Sequence, residues 1–240
     1  MLDKRGFDLW ADGYDRAVGI SDEENTYPFA GYRDVLGDIF ETVMQRPGAS
    51  VLDIGFGTGT LTAKLYEYGC TIYGQDFSSR MVELALGKMP GAHLYQGDFS
   101  QGLVPLLRQG RYDYIVATYS LHHLTDGQKI VFLRALLDRL NENGAILIGD
   151  VAFATRDELE RCRQAAGDEW DDAISSLYGV AVPCALIKAI FSGSRSPKAT
   201  LKALKLPSPT RDGPEMWFAS FLIAPRHATH SLSLTLSFFV

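Results

Sequence analysis

The chain has 240 residues, 46% of them hydrophobic, enough apolar side chain for one large domain. Its net charge of −6 argues against a nucleic-acid partner, which ordinarily leaves a basic footprint. Three widely spaced cysteines (Cys70, Cys162, Cys184) suggest neither a disulfide framework nor a thiolate metal site, and with no secretory h-region and no apolar run of about 20 residues a cytoplasmic, non-membrane protein is expected.

In chain order, an aromatic segment running from Phe7 through Trp10 and Tyr14 to Asp15 precedes an amphipathic helix over residues 29–43. From there short β-rich runs alternate with amphipathic segments. Strands are expected over 50–54, 70–75, 93–96, 112–117 and 145–151, the last preceded by Asn143-Gly144. Helices are expected over 60–68, 78–88, 103–109, 126–140 and 156–166, the first with Leu61, Leu65 and Tyr66 on one side and the second with Met81, Leu84 and Leu86 turned inward. Residues 200–206 and 217–223 read as late strands, and 231–238 alternates Ser/Thr with Leu/Phe in a strand pattern. This gives a helical lid segment over 1–45, a ligand-binding core over 46–172, and divergent strands forming a cap of the same domain over 173–240. The charge follows that division: residues 1–172 hold 16 basic and 27 acidic side chains, whereas 173–240 hold seven and two.

Strands alternating with helices of this length mean βαβ units, hence an α/β, Rossmann-like doubly wound sheet. It should be mostly parallel, with helices on both faces and an antiparallel last strand. Ligands on such sheets sit beyond the carboxyl ends of the strands, where strand order reverses. Functional residues should therefore follow each strand.

After the first strand comes Asp53-Ile54-Gly55-Phe56-Gly57-Thr58-Gly59-Thr60, opening a helix. Alternate glycines let the backbone turn tightly and admit a ligand close to the main chain. The N–H groups of the helix start favour an anion. A dinucleotide site would want glycine three residues after Gly57, where Thr60 stands, and Asp53 would repel a pyrophosphate. A zwitterion suits both features, its ammonium near the acid and its carboxylate at the helix start.

On Val51-Leu52-Asp53-Ile54-Gly55-Phe56-Gly57-Thr58-Gly59 the chain resembles the class I S-adenosylmethionine-dependent methyltransferases. The resemblance spans about residues 7–170. With Trp10 to Asp15 at the front it looks close to the small bacterial YrrT-like branch. It implies S-adenosyl-L-methionine as cofactor, S-adenosyl-L-homocysteine as product and a small-molecule methyl acceptor. By position it implies cofactor contacts from Asp53, Gly55, Phe56 and Gly57, and from Asp76, Phe77 and Met81 around the second strand's end. Asp76 would take both ribose hydroxyls; otherwise it, or Ser78, caps a helix. Asp98 and Phe99 would meet the adenine, although Gly97-Asp98 alone is also a turn. Thr118 would line the site, and Tyr14, with Trp10, would cover it.

The stretch Thr118-Tyr119-Ser120-Leu121-His122-His123 lies on the acceptor side. The two histidines have no third ligand at a supporting spacing, so no metal is expected. Either His123 or His122 takes a proton from the acceptor, with Tyr119 or Tyr14 orienting it, or one imidazole packs beneath the cofactor while the other faces solvent. An Asn-Pro-Pro-Tyr motif, carried here by amino-group methyltransferases acting on bases or on protein glutamine, is absent. His227 and His230 read as surface residues. A cofactor-binding regulatory or partner protein without turnover is the competing reading, and a nicotinamide dehydrogenase is a third, disfavoured by Thr60 and Asp53.

Overall fold

The computed structural model describes residues 32–152, Glu160, Arg161 and Gln164, and the segments 198–205, 217–224 and 236–238. The expected lid residues Trp10 and Tyr14, most of the helix over 156–166, and His227 and His230 lie outside them.

Helix α1 (Tyr32–Met44) leads into strand β1 (Ser50–Ile54), helix α2 (Thr60–Glu67), strand β2 (Thr71–Asp76), helix α3 (Ser79–Lys88) and strand β3 (His93–Gln96). After a single 3₁₀ turn (Phe99–Gln101) come helix α4 (Pro105–Arg108) and strand β4 (Tyr112–Thr118). A second 3₁₀ turn (Leu121–His123) precedes helix α5 (Asp126–Leu137) and strand β5 (Leu140–Ala152). Strands β6 (Lys198–Lys205), β7 (Trp217–Ala224) and β8 (Leu236–Phe238) complete the sheet.

The eight strands of the described residues lie in the order β3-β2-β1-β4-β5-β7-β6-β8. The first five run parallel. Strand β7 is antiparallel to both its neighbours. The expectation of an antiparallel last strand is corrected here: β8 pairs parallel with β6, and both run with the first five. The reversal falls at β7, which follows β6 in sequence and lies beside it in the sheet, an arrangement that antiparallel pairing allows without a crossover.

Period-two alternation builds two cores, one on each face. Val51, Val116 and Leu147 point toward the core under α1, α2 and α3. Leu52, Ile115, Ala117, Ile146 and Ile148 point the other way, toward Leu107 and the α5 residues Phe132, Leu133 and Leu136. The continuous apolar runs of a doubly covered parallel sheet thus divide residue by residue. On α3 it is Met81 and Ala85 that are buried, with Leu84 and Leu86 only partly so.

Helix α1 lies directly on the sheet, because β5 is bare at Gly149: a Cβ there would come within 2.4 Å of Val35 Cγ1. Strand β5 starts at Leu140, so Asn143 (φ 59°) and Gly144 sit inside it instead of in front. The register between β4 and β5 shifts at that irregularity.

At the amino ends of the strands, Asp113 ties β1, β4 and β5 together. Its Oδ2 accepts from the Ser50 N–H at 2.8 Å and the Ser50 hydroxyl at 2.9 Å. Its Oδ1 accepts from the Asn141 amide at 2.8 Å and meets the Arg46 guanidinium at 2.8 Å. Burial alone would raise this carboxyl's pKa, but the donors outweigh it and hold it below the usual carboxylate range.

Candidate functional site

Strand order reverses between β1 and β4, and parallel strands bring their carboxyl ends to one edge. The glycine loop after β1, Asp76 and Phe77 after β2, Asp98 and Phe99 after β3, and Thr118 to His123 after β4 all gather there. Asp150, near the end of β5, joins them.

The loop's three glycines all take positive φ: Gly55 at 70°, Gly57 at 56° and Gly59 at 78°. Gly55 is also sterically required. A Cβ would stand 2.6 Å from Ser120 Cβ and 3.4 Å from Phe99 Cε1, so the loops after β1, β3 and β4 meet at a point with no room for a side chain. Gly59 stands at the N-cap of α2 and makes no side-chain capping hydrogen bond, so the positive end of that helix opens on the glycine loop.

Phe56 turns inward: it is buried and packs where a Cβ on Gly74 would strike it at 2.6 Å. Only its main chain belongs to the loop's outer face. Met81 is likewise buried, at the start of α3, with its N–H donating to the Ser78 hydroxyl at 3.1 Å. Phe77 is half-buried, and its carbonyl accepts from the Gln96 amide.

The carboxylate of Asp76 bridges two loops, accepting from the Gly57 N–H at 2.9 Å and from the Ser78 N–H at 2.9 Å. The sequence left ribose contact and helix capping as alternatives; in the structure Ser78 caps α3 and Asp76 holds Ser78's own N–H. Asp98 is exposed and caps the short turn after β3, its Oδ1 accepting from the Ser100 N–H at 2.8 Å. Phe99 is buried beside Phe132, ring centroids 6.0 Å apart.

Asp53 is the most unusual group of the site. It is 1% exposed, and its Oδ1 has no hydrogen-bond partner; nor has the buried Thr62 hydroxyl on α2. Burial pushes the Asp53 carboxyl up to about 8; the Thr62 hydroxyl, close but short of a full hydrogen bond, draws it partly back, and the Asp76 charge pushes it further up. An unsatisfied acceptor in this setting is stabilised by a cation or a donor.

The acceptor-side residues divide. Thr118 ends β4 half-buried. Tyr119 adopts φ 50°, and its ring is buried 5.1 Å from that of Tyr32 on α1. The two imidazoles of His122 and His123 lie 4.2 Å apart, and neither is an open surface group. His122 Nδ1 lies 3.2 Å from Asp150 Oδ1. Burial first, then the neighbouring His122, depresses the His123 pKa to about 3, against a smaller opposing pull from Asp150.

Four positions escaped the sequence reading: Thr62, Gln75, Ser120 and Asp150. Ser120 donates its hydroxyl to the Ile54 carbonyl at 2.6 Å and so ties the loop after β4 to the end of β1. Gln75, fully buried, receives the Val104 N–H at 2.8 Å and donates to the Gly102 carbonyl at 3.0 Å, docking the loop after β3. Asp150 did carry a signal, an acid closing an apolar strand as Asp53 and Asp76 do. Ser120 and Gln75 carried none, since a buried serine or glutamine shows no period. Among the described residues no cluster of three or more metal-ligating side chains occurs, and no helix is long and apolar enough to cross a membrane.

Comparison with known proteins places this geometry in company. A family model described as a methyltransferase domain matches residues 5–191. An uncharacterized methyltransferase of Anoxybacillus flavithermus is 38% identical over 154 residues, 64% of this chain and 69% of its own length. One of Geobacillus sp. is 38% identical over 161 residues, 67% of this chain and 72% of its own. Among solved structures, the magnesium protoporphyrin IX methyltransferase of Synechocystis PCC 6803 with bound SAH has a TM-score of 0.61 at 17% identity, over 92% of this chain and 99% of that one. A plantazolicin methyltransferase, in complex with a pentazolic desmethyl analogue and SAH, has a TM-score of 0.60 at 16% identity, over 92% and 96%.

Proposed function

The chain belongs to the methyltransferase-domain family, and from that premise we propose that it transfers a methyl group from S-adenosylmethionine to a small-molecule acceptor. The observation that carries the reading is the buried, unpartnered Asp53 Oδ1 beside a loop that only glycine can form. A ligand with an ammonium and a carboxylate on one carbon answers the orphaned acid and the uncapped start of α2 together. An NAD pyrophosphate answers the second and brings no cation to the first.

In this reading Asp53 receives the ammonium, and the main chain of Gly55, Phe56 and Gly57 lies along the amino-acid moiety. Asp76, with Phe77 and Met81 beside it, takes the ribose. Asp98 and Phe99 take the adenine, Thr118 lines the far wall, and Tyr14 covers the cofactor. Bound S-adenosylmethionine supplies a methyl already activated on a sulfonium, so the protein's task is to align the acceptor and exclude water. His122 or His123 receives any proton the acceptor gives up. The acidic net charge and Thr118-Tyr119-Ser120-Leu121 in place of an Asn-Pro-Pro-Tyr motif support a small molecule over a nucleic-acid base.

Calorimetric titration with S-adenosylmethionine and S-adenosylhomocysteine tests the proposal. Micromolar binding by the wild type, lost in a folded Asp76→Ala variant, is the expected outcome. A folded wild type that ignores both ligands, or prefers NAD, would overturn it.

A further inference from the structure

The turn after β4 is fixed from every side. The Tyr119 N–H donates to the Gly149 carbonyl at 2.7 Å and the His123 N–H to the Ser120 carbonyl at 3.2 Å. Ser120 is anchored to β1 through the Ile54 carbonyl at 2.6 Å. Asp150 then grips His122 twice, with Oδ2 accepting from its backbone N–H at 3.3 Å and Oδ1 lying 3.2 Å from its Nδ1. Both side chains are close to nine-tenths buried, 11% and 13% exposed.

Resting on the methyl-transfer reading above, we infer that Asp150 is a positioning residue which keeps the proton of His122 on Nδ1, makes Nε2 the proton-accepting atom of the site, and restricts the acceptor to a nucleophile bearing a hydrogen on oxygen, sulfur or nitrogen. A carboxylate can only accept, so Nδ1 opposite it must donate. A neutral imidazole has one N–H, and its acceptor nitrogen is then Nε2. The backbone contact from the same carboxylate fixes where the ring starts, and the ring contact fixes how it turns. A base oriented by a second group in this way recurs wherever a nucleophile must lose a proton as it attacks. His123 fails the same role: held neutral down to about pH 3 by burial and by its neighbour, it binds a proton too weakly.

The step balances. The acceptor heteroatom bonds to the methyl carbon while the carbon–sulfur bond breaks, the freed electron pair goes to sulfur, and the acceptor's proton passes to His122 Nε2. His122 then carries a positive charge beside the Asp150 carboxylate until water removes the proton.

The test is a long-range proton–nitrogen NMR spectrum of the full ¹⁵N-labelled chain, recorded free and saturated with S-adenosylhomocysteine, with His122→Gln supplying the assignment. The expected result is a pyrrole-type Nδ1 and a pyridine-type Nε2 for His122 in both spectra. Asp150→Asn, which offers the ring an N–H as well as an oxygen, should populate the Nε2–H form while changing affinity for S-adenosylhomocysteine less than twofold. A wild-type His122 protonated on Nε2, or a tautomer indifferent to Asp150→Asn, overturns the inference. So does turnover of iodide, a nucleophile without a proton, by a protein that ignores thiol, phenol and amine probes. Failure to bind S-adenosylhomocysteine strikes the cofactor reading instead, and the free-protein spectrum still decides the dyad.

Discussion

Two side chains at the carboxyl edge hold protons abnormally, in opposite senses. Asp53, raised to about 8, is neutral in the folded protein and ionised in the unfolded chain near neutral pH. Its folded pKa lies above the unfolded one, so its contribution is full below pH 4 and is lost as pH rises through 8. Asp53→Asn should abolish that loss: chemical denaturation at pH 5 and pH 8 should show wild-type stability falling relative to the variant. An arriving ammonium favours the ionised form, so S-adenosylmethionine should bind more tightly as pH rises from 6 to 8, with proton release readable in buffers of different ionisation enthalpy. Among the described residues, Asp76 on β2 is a titratable group whose charge reaches Asp53; α2 presents Thr62, and β4 presents Val116 in register. His123 runs the other way. Depressed to about 3, it stays neutral when folded while the unfolded chain takes a proton near pH 6.5. Relative to His123→Gln, the wild type should lose roughly 2 kcal/mol between pH 7.5 and pH 5. The sequence names Asp53 and His123 by position, but whether a neighbour compensates either depends on burial that no local pattern encodes.

Among the elements, the contact of α1 with β5 is the most sensitive to a single methyl. Gly149→Ala would set a Cβ 2.4 Å from Val35 Cγ1 and 3.1 Å from Ile39 Cδ1, and should cost about 1–3 kcal/mol in a thermal or denaturant melt. Gly37→Ala, in α1 itself with nothing within 4 Å of the added Cβ, should instead stabilise by about 0.5–1 kcal/mol. The pair separates crowding at the interface from helix propensity. Strands β1 to β4 were legible within a residue or two, because buried parallel strands are short apolar runs bounded by glycine, proline or acid. Strand β5 was read five residues short, because Asn143-Gly144 looks like a turn and is in fact an irregularity inside the strand. The expected helix over 103–109 shrinks to Pro105–Arg108, since Gln75 holds the backbone at Val104 in a loop. The course of β7 could not be read, because strand direction depends on the neighbour a strand finds and not on its own residues.

At the scale of the whole molecule, the segments after β1, β2, β3 and β4 gather at one edge, so ligand occupancy there should stabilise the fold as a unit. S-adenosylhomocysteine at 100 times its dissociation constant should add about 2.7 kcal/mol and raise the melting temperature by roughly 5–10 °C. Gly55→Ala should remove the shift, because its Cβ collides with Ser120 where the loops join. The sheet order carries a further consequence, for the chain as it leaves the ribosome. Residues 32–152 supply five parallel strands and the described groups of the site, yet β5 remains an open edge until β7 arrives 65 residues later. At about 5–20 residues per second that edge stays unpaired for roughly 3–13 s. In that interval a nascent chain exposes a thirteen-residue strand rich in Ile, Leu and Val to every other nascent chain nearby, so biosynthetic yield should depend on chaperone supply more than the stability of the finished protein would suggest.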